Sequence, residues 1–160
     1  ADLLYNERPV RSRRQGASRG ARCGATGGTA APRGTALKRG MRKVNLAEKL
    51  ALSSDHWKPR VVGELNGQHV KLAKLSGEFI WHHHENEDEM FLVLSGRLAI
   101  RLRDREIRLG EGEFFIVPRG IEHKPVALGD EVHVLLIEPD TTLNTGNVRE
   151  ERTVDAPERI

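Results

Sequence analysis

The stretch that decides the fold reads Trp81-His82-His83-His84-Glu85-Asn86-Glu87-Asp88-Glu89, and it is completed by Pro118-Arg119-Gly120-Ile121-Glu122-His123. The first segment sets three histidines and several acids beside a β-like run, and the second ends in a histidine after a Pro-x-Gly turn. Imidazole nitrogens and carboxylate oxygens are donor atoms that divalent transition metals accept in proteins. The two segments therefore predict a metal site, with the rest of the domain as its scaffold.

Spacing selects two of the three adjacent histidines. Residues two apart on a strand point to the same face, so His82 and His84 lie together, roughly 6–7 Å apart along the strand. Side chains that far apart can converge on one ion, because each imidazole nitrogen binds at about 2.0–2.1 Å. His83 points to the opposite face and is interpreted as an outward, structural residue.

The other two predicted ligands come from separate segments. Glu89 begins an apolar run and shares a face with Phe91 and Val93, so a turn before it returns its carboxylate to the histidines. Asp88 is the rival carboxylate, but its parity places it on the other face. His123 is delivered by a distant strand and aimed by the turn that precedes it. The predicted ligand set is His82, His84, Glu89 and His123.

The positive charge of the chain is concentrated in residues 1–40. That segment holds nine Lys and Arg residues and two acids, a net charge of +7, whereas the whole chain carries +3, which leaves −4 for residues 41–160. Large apolar side chains are few in the segment, and fourteen of its positions are Gly or Ala. It cannot bury enough surface to offset its ordering entropy, so a disordered basic tail is predicted.

Three interpretations of this tail stay open. It is Arg-rich and acid-poor, as targeting peptides are. It is basic, as arms that contact anionic partners are. Ordinary globular composition begins at Met41, which fits a protein whose translation starts there, and we favour this third interpretation.

Composition also argues against several classes of protein. The acidic balance of residues 41–160 offers no electrostatic footprint for nucleic acid. No apolar run approaches the roughly 18 residues of a membrane helix, so no membrane partner is expected. The single cysteine, Cys23, lies in the tail, so neither disulfides nor a thiolate metal site is expected, and a cytoplasmic location is predicted.

Local patterns predict a short helix followed by about nine strands. Asn45 is the predicted N-cap of a helix over residues 46–52, and Asn66-Gly67 is a two-residue hairpin turn. Tight turns separate the strands with no helix between them, which indicates an antiparallel barrel or sandwich. The predicted strands are residues 61–65, 69–75, 78–84, 90–94, 97–102, 106–109, 113–117, 123–128 and 131–138. The predicted organisation is a 1–40 tail, a 41–56 N-terminal helical segment, a 57–140 barrel and a 141–160 C-terminal extension.

Two strand patterns bear on assembly. Residues 90–94 and 113–117 are apolar on both faces, so a second sheet or a second subunit must cover the face that does not fill the barrel. This pattern favours a homodimer. Residues 97–103 alternate between charged and apolar side chains, which indicates an edge strand whose charged side chains prevent pairing with another sheet.

Other residues are candidates for the interior of the barrel. His133 alternates with Leu135 and Ile137 and is placed on the inward face, either as a satisfied core or supporting histidine or as a pocket-lining acid or base. Asn144-Thr145-Gly146 is interpreted as a turn. The predicted apolar pocket walls are Ile80, Phe91, Val93, Phe115 and Val117.

The combined pattern resembles the cupin superfamily. Its first motif, a Gly, His-x-His, a Glu and a second Gly, is matched by Gly77, His82, His84, Glu89 and Gly96. Its second motif, a Gly, Pro-x-Gly and a His, is matched by Gly112, Pro118, Gly120 and His123. The Asn that often follows is replaced by Ala127. The end of the chain is similar to small single-domain bacterial cupins that carry Glu-Pro and Asn-Thr-Gly, here Glu138-Pro139 and Asn144-Thr145-Gly146.

The resemblance implies an all-β fold: a cupin-type antiparallel β-barrel, also called a double-stranded β-helix or jelly roll, with a short N-terminal helix before it. It also implies one divalent transition metal ion at the four predicted ligands. Three imidazoles and one carboxylate suit Fe, Mn, Ni, Zn or Cu, and the sequence does not choose among them. Four protein ligands on an octahedral ion leave two positions for water, substrate or dioxygen.

Two hypotheses for function stay open. The first is a metalloenzyme that acts on a small organic molecule. It is either oxygenase-like, with an enol or catechol-like substrate, or isomerase- or lyase-like, with Glu89 moving a proton. The second is a non-catalytic barrel that binds or senses a small ligand. Residues 1–40 lack a helical period, which argues against an attached DNA-binding helix-turn-helix.

Overall fold

Asn45 begins the secondary structure of the described residues, 42–160, in this computed structural model. Its side-chain oxygen accepts hydrogen bonds from the backbone N–H groups of Ala47 and Glu48, at 3.1 and 3.3 Å. The cap therefore satisfies two donors that the start of a helix otherwise leaves free. Helix α1, Leu46–Leu50, is shorter than the predicted 46–52 and buries none of its residues.

Eight strands follow, and every pairing between them is antiparallel. They are β1 Arg60–Leu65, β2 Gln68–Leu75, β3 Glu89–Ser95, β4 Leu98–Leu102, β5 Glu106–Leu109, β6 Phe114–Val117, β7 His123–Ala127 and β8 Val132–Pro139. One sheet has the order β1-β2-β8-β3-β6, and the other has the order β5-β4-β7. The predicted fold class, an antiparallel cupin-type β-barrel with a short N-terminal helix, is confirmed.

The two sheets share one apolar core. β8 lies at the middle of the larger sheet and sends Val132, Val134 and Leu136 inward, all of them buried. The smaller sheet contributes Leu98 and Ile100, which are fully buried in the same cluster. Both sheets bury their inner faces against each other, so the cluster fills the space between them.

The predicted hairpin turn joins β1 to β2. Asn66 and Gly67 have φ angles of +52° and +81°, and Leu65 pairs with Gln68 across them. Two successive positive φ angles are what a tight type I′ turn requires, and Asn-Gly is the pair that adopts them most readily.

The prediction of a strand over residues 78–84 is wrong. That segment makes only two isolated bridges, Glu78 with Val126 and His82 with His123. The register slips by one residue between these bridges, so the segment cannot form a continuous ladder along β7.

The prediction of an edge strand over residues 97–103 is also wrong. β4 lies between β5 and β7, at the centre of its sheet. Arg101 pairs with the carboxylates of Glu78 and Glu106 on the solvent side. The alternation of charged and apolar residues therefore indicates that one face of the strand is solvated. A central strand can have a solvated face as readily as an edge strand can.

The C-terminal residues return to β1. The backbone N–H of Val61 donates to the carbonyl of Glu158 at 2.8 Å, and the N–H of Ile160 donates to the carbonyl of Val61 at 3.1 Å. The predicted tail over residues 1–40 lies outside the described residues. Within the described range, no helix is long and apolar enough to cross a membrane.

Candidate metal centre

A backbone bridge fixes the two histidine segments against each other. The N–H of His82 donates to the carbonyl of His123 at 3.0 Å, and the N–H of His123 donates to the carbonyl of His82 at 2.8 Å. His123 is the first residue of β7, and Glu89 is the first residue of β3. Three separate segments therefore deliver side chains to one end of the barrel interior.

The structure brings the four predicted ligands together. Each offers one donor atom, and these atoms all lie within 4.8 Å of one another. All four side chains are buried, with His123 fully so. The sequence-predicted set of His82, His84, Glu89 and His123 therefore forms one cluster that could hold a metal ion.

Backbone carbonyls set which ring nitrogen faces the cluster. Nδ1 of His82 lies 3.1 Å from the carbonyl oxygen of Ile80, and Nδ1 of His123 lies 3.0 Å from that of Ile121. In the neutral form that binds a metal, each of these rings keeps its single proton on Nδ1, because a carbonyl can only accept. The lone pair of Nε2 is then directed to the centre, which is the arrangement of a metal-ligating histidine. The hydrogen bond from Nε2 of His123 to Glu89 belongs to the protonated ring, whose Nε2 proton a metal ion would replace.

The donor atoms fit an ion at their centre. Nε2 of His84 and Nε2 of His123 each lie 3.2 Å from Oε2 of Glu89. Two donors that far apart, each about 2.1 Å from one ion, subtend roughly 100° at it, which suits tetrahedral or octahedral coordination. Nε2 of His82 is buried and has no hydrogen-bond partner among the described residues, as expected of a nitrogen whose lone pair binds a cation.

Burial and mutual contacts set the charges of the group. Burial and the charge of His123 lower the pKa of His82 to about 4, so its ring is neutral at neutral pH. Burial opposes ionisation of Glu89, but hydrogen bonds from His123 and His84 outweigh it and lower the pKa of this carboxyl. Burial likewise opposes protonation of His84, yet the hydrogen bond and charge of Glu89 raise its pKa. His82 and Glu89 are thus already in the forms that bind metal.

Comparison with known proteins shows the family of this chain. The family described as "Cupin domain" matches residues 68–138. A crystal structure of a cupin-2 domain containing protein from Shewanella frigidimarina is 45% identical, with a TM-score of 0.59, and the match covers 60% of this chain and 93% of that one. The chain belongs to the cupin family.

Two further comparisons fit the same family. The cupin is 28% identical to protein NMB1881 from Neisseria meningitidis over 62% of its own length and all of that chain, with a TM-score of 0.56. It is 39% identical over 64 residues to "Uncharacterized protein YdbB" of Bacillus subtilis, strain 168. That match covers 39% of this chain and 57% of the relative's length.

A small cavity adjoins the histidine–glutamate group of this cupin. Its volume is about 30 Å³. Of the predicted pocket walls only Phe91 lines it, whereas Ile80, Val93, Phe115 and Val117 do not. The observed lining is Trp57, Pro59, Ala73, Leu75, Phe79, His82, Glu89, Phe91, Pro125, Val134, Leu136, Glu138 and Asn144.

Trp57 forms a fixed wall of the cavity. Its ring stacks on Phe79 with 4.7 Å between centroids, and its indole N–H donates to the carbonyl of Ser76 at 2.8 Å. Its φ of +60° lies in the left-handed region, where a bulky residue is a true outlier. Strain of this kind persists where the surroundings over-determine a conformation, and it is common beside functional sites.

Three other candidates lie outside the group. His83 is partly exposed and contacts Glu85 at 3.4 Å. Asp88 accepts a hydrogen bond from the backbone N–H of Arg119 at 2.9 Å, so it ties two loops together. His133 lies on the outer face of β8 and contacts Glu131 at 2.7 Å, so its predicted inward placement is wrong. β8 is apolar on both faces, and its periodicity therefore could not show which face is inward.

The sequence predicted a turn at Asn144-Thr145-Gly146 but not its contact with the histidine segment. Asn147 accepts a hydrogen bond from the N–H of His83 at 2.9 Å and donates its own backbone N–H to the carbonyl of His83 at 3.0 Å. Gly146 lies so close that an added Cβ would meet that carbonyl oxygen at 2.2 Å. The Asn144-Thr145-Gly146 turn therefore packs directly on the segment that carries His82 and His84.

A larger groove of about 560 Å³ lies along β6 and the turn before β7. None of the four predicted ligands lines it. Its walls include Leu102, Phe115, Ile116 and Ile121, with the charged residues Arg103 and Glu122 at its rim. Size alone would favour this groove, but the smaller cavity adjoins the convergent donor atoms and is lined by His82 and Glu138, which each have a buried polar atom without a hydrogen-bond partner among the described residues.

Proposed function

We propose that this cupin binds one divalent transition metal ion through His82, His84, Glu89 and His123, and that it is a metalloenzyme for a small organic molecule. The observation that carries the proposal is the buried convergence of three Nε2 atoms and one carboxylate beside a cavity. The donor set suits Fe, Mn, Ni, Zn or Cu alike, so the proposal names the class of ion and no single element.

A bound ion of this class would supply Lewis-acid or redox chemistry to an oxygen-bearing substrate. The chain itself supplies two further features. Buried walls exclude water, and the Trp57–Phe79 stack orients a flat ligand. Because the cavity is small and mostly apolar, the proposed substrate is small, with its polar atoms at one end.

Two reaction classes agree with these features, and one pair of assays separates them. Protein reconstituted with each of the five metals is given catechol and small enol-forming diketones, and oxygen uptake is recorded. Parallel samples in deuterium oxide contain small hydroxyketones, and exchange of their carbon-bound protons is followed by NMR. Metal-dependent oxygen uptake supports the oxygenase-like class, and proton exchange supports the isomerase- or lyase-like class.

The alternative is a non-catalytic cupin that binds or senses a small ligand. Metal-loaded protein that binds these compounds but turns over none of them favours this alternative. The matched control is His133→Ala, because His133 lies on the outer face of β8, away from the four proposed ligands. Turnover that disappears in the control would locate the chemistry elsewhere.

We also propose that the protein is a homodimer. The outer face of the larger sheet carries two apolar rows across β8, β3 and β6: Leu135, Leu92 and Phe114 in one, and Ile137, Met90 and Ile116 in the other. Phe114 is 61% exposed and Ile116 is 47% exposed. Monomeric proteins rarely expose contiguous apolar patches of this kind, so a second copy is the proposed cover. The cytoplasmic location stays a prediction.

A further inference from the structure

Glu138 is a buried carboxylate that the proposed metal site does not use. The inward side chains of β8 are Val132, Val134, Leu136 and Glu138. Met90 of β3 pairs with Ile137 of β8, so the same register carried one residue further sets Glu89 opposite Glu138. Side chains opposite each other on one face have Cβ atoms about 4.5–5.5 Å apart. Glu138 therefore faces the barrel interior beside a proposed metal ligand.

Lys71 holds one of the two oxygens of this carboxylate. Its Nζ donates to Oε1 of Glu138 at 2.7 Å and lies 3.5 Å from the carbonyl oxygen of Thr142. The side chains of Lys71 and Glu138 are 2% and 1% exposed, so the pair is fully buried. A buried ion pair is costly to desolvate and is weak evidence for stability alone. Its effect here is to fix the orientation of the carboxylate.

The second oxygen of Glu138 is free. No described residue donates a hydrogen bond to Oε2, although the atom is buried. An unsatisfied buried acceptor is unfavourable in a folded protein, so it needs a partner that the described residues do not supply.

The cavity shows where that partner would lie. Glu138, His82 and Glu89 line the same small space. Asn144 also lines it, but its amide donates to the carbonyl of Arg152 at 2.8 Å and its oxygen accepts from the N–H of Val154 at 2.8 Å. Among the described residues that line the cavity outside the proposed metal ligands, Glu138 therefore offers a side-chain acceptor, Oε2, that is left without a partner.

We propose that Glu138 is the second anchor of the ligand site: its Oε2 accepts a hydrogen bond from an N–H or O–H donor of a small ligand whose oxygen atoms face His82, His84, Glu89 and His123. This inference rests on the proposed function and specifies its ligand class. The ligand is a compact molecule with a metal-binding oxygen pair and an adjacent hydrogen-bond donor. Lys71 is already paired with Glu138, so it does not serve as a phosphate or carboxylate receptor.

Two hydroxamates of nearly equal size test this anchor. Acetohydroxamate and N-methylacetohydroxamate both chelate divalent ions through two oxygens, but only the first keeps an N–H donor beside them. Cobalt(II)-loaded protein is titrated with each, and affinity is read from the visible spectrum of the ion. Burial and the charge of Glu89, opposed by Lys71, raise the pKa of Glu138 to about 7, so the titrations are run at pH 8. Wild-type protein is expected to bind acetohydroxamate about tenfold more tightly, as a hydrogen bond to a charged group allows.

Two variants separate this hydrogen bond from the bulk of the extra methyl group. Glu138→Gln keeps an oxygen for Lys71 and turns an amide donor to the cavity, so the preference for acetohydroxamate should disappear. The double variant Lys71→Met, Glu138→Met removes both charges together, which buried pairs usually tolerate without unfolding. It should bind the two probes equally. Glu131→Gln, an outer-face change, should keep the wild-type preference.

Each outcome decides something definite. A tenfold preference in wild type that falls to parity in both Glu138 variants supports the anchor. Equal binding in wild type, or a preference that persists in the variants, overturns it. Protein that binds cobalt but fails to discriminate contradicts the anchor alone. Protein that binds no cobalt overturns both the anchor and the proposed metal site.

Discussion

Each of two histidines takes its orientation from the carbonyl two residues before it. Nδ1 of His82 meets the carbonyl of Ile80, and Nδ1 of His123 meets that of Ile121. Spacing predicted which residues come together, because side-chain parity follows from the chain itself. It could not predict which nitrogen faces inward, since that depends on where a neighbouring carbonyl lies after folding.

The opposite pKa shifts of two histidines predict how acid affects metal binding. A proton and an ion compete for the same nitrogen. Burial lowers the pKa of His84, but the hydrogen bond and charge of Glu89 outweigh it and raise the pKa, so this competition begins at a higher pH than it would for an ordinary histidine. His82 has a pKa of about 4, so its protonation does not compete with the metal until the pH is near 4. We expect affinity for Zn or Co to fall by about tenfold per pH unit per ligand protonated below the pKa of His84.

Calorimetric titration of the metal at pH 8, 7, 6 and 5 in buffers of different ionisation enthalpy checks this dependence. The expected result is proton release on binding that grows as the pH falls below the raised pKa of His84. An affinity that stays constant from pH 8 to pH 5 would show that His84 is not a ligand.

Gly146 predicts a second effect at the scale of one residue. An added Cβ there would meet the carbonyl oxygen of His83 at 2.2 Å and Cδ2 of His82 at 3.2 Å, so the histidine segment has to move. Gly146→Ala should destabilise the fold and weaken metal binding. Gly77→Ala is the matched control, because its φ of +66° is close to the +53° of Gly146 and nothing lies within 4 Å of its added Cβ.

Both variants carry the left-handed strain of about 1–2 kcal/mol, but only Gly146→Ala adds the overpacking cost of about 1–3 kcal/mol. Thermal and denaturant unfolding measure the difference, and metal titration measures the change in affinity. If the two variants have the same stability and the same metal affinity, the turn has no role at the site.

The sequence could not predict which face of β8 points into the barrel. His133, Leu135 and Ile137 form a plausible inward set, yet the inward set begins at Val132 and ends at Glu138. Both faces are apolar because a central strand is covered on one side by the core and carries an apolar outer patch on the other. Only the pairing with β2 and β3 decides between them, and that information is not local.

At the scale of elements, the turns were easier to predict than the edges of the sheets. Asn66-Gly67 requires a positive φ at two successive positions, which few residue pairs supply, so the hairpin followed from the sequence. Residues 78–84 have a strand-like composition, but the one-residue slip between their bridges depends on β7, which lies far along the chain. Whether a strand ladder is continuous depends on tertiary pairing, so no local sequence pattern could predict it here.

The prediction for assembly is that the exposed edge strand β6 lies in the dimer interface. Phe114 and Ile116 lie on the same outer face, opposite Leu92 and Met90 of β3. We expect the wild-type protein to sediment as a dimer at micromolar concentration and the Phe114→Lys, Ile116→Lys variant to sediment as a monomer. The control is Leu65→Lys, since Leu65 is similarly exposed but lies at the β1–β2 turn. A monomeric wild type, or a variant that stays dimeric, would contradict this interface.

At the scale of the whole molecule, two motifs carried the prediction of the fold. The two motifs fix glycines at turns, histidines at one end of the barrel and a carboxylate opposite them, and these constraints together admit few arrangements. The strand order and the place of the C-terminal residues along β1 could not be predicted this way, since several jelly-roll connections satisfy the same local patterns.

The composition of residues 1–40 predicts that they are dispensable for folding, because large apolar side chains are few among them. Among the described residues, every member of the buried apolar cluster lies between residues 57 and 136. Deletion of residues 1–40 is expected to leave the melting temperature and the metal content unchanged. Differential scanning calorimetry and metal analysis compare the two proteins, and a large drop in melting temperature would show that the segment stabilises the barrel.

The most direct test of the central claim is metal content by mass spectrometry, on protein purified without an affinity tag or added metal. Wild type and His133→Ala are predicted to carry about one equivalent of a divalent transition metal. The His82→Ala, His84→Ala variant should carry none, while its circular dichroism stays β-rich, because the bridge between these segments is made by backbone atoms. The same metal content in the double variant, or no metal in wild type after reconstitution with each of the five ions, would contradict the proposed site.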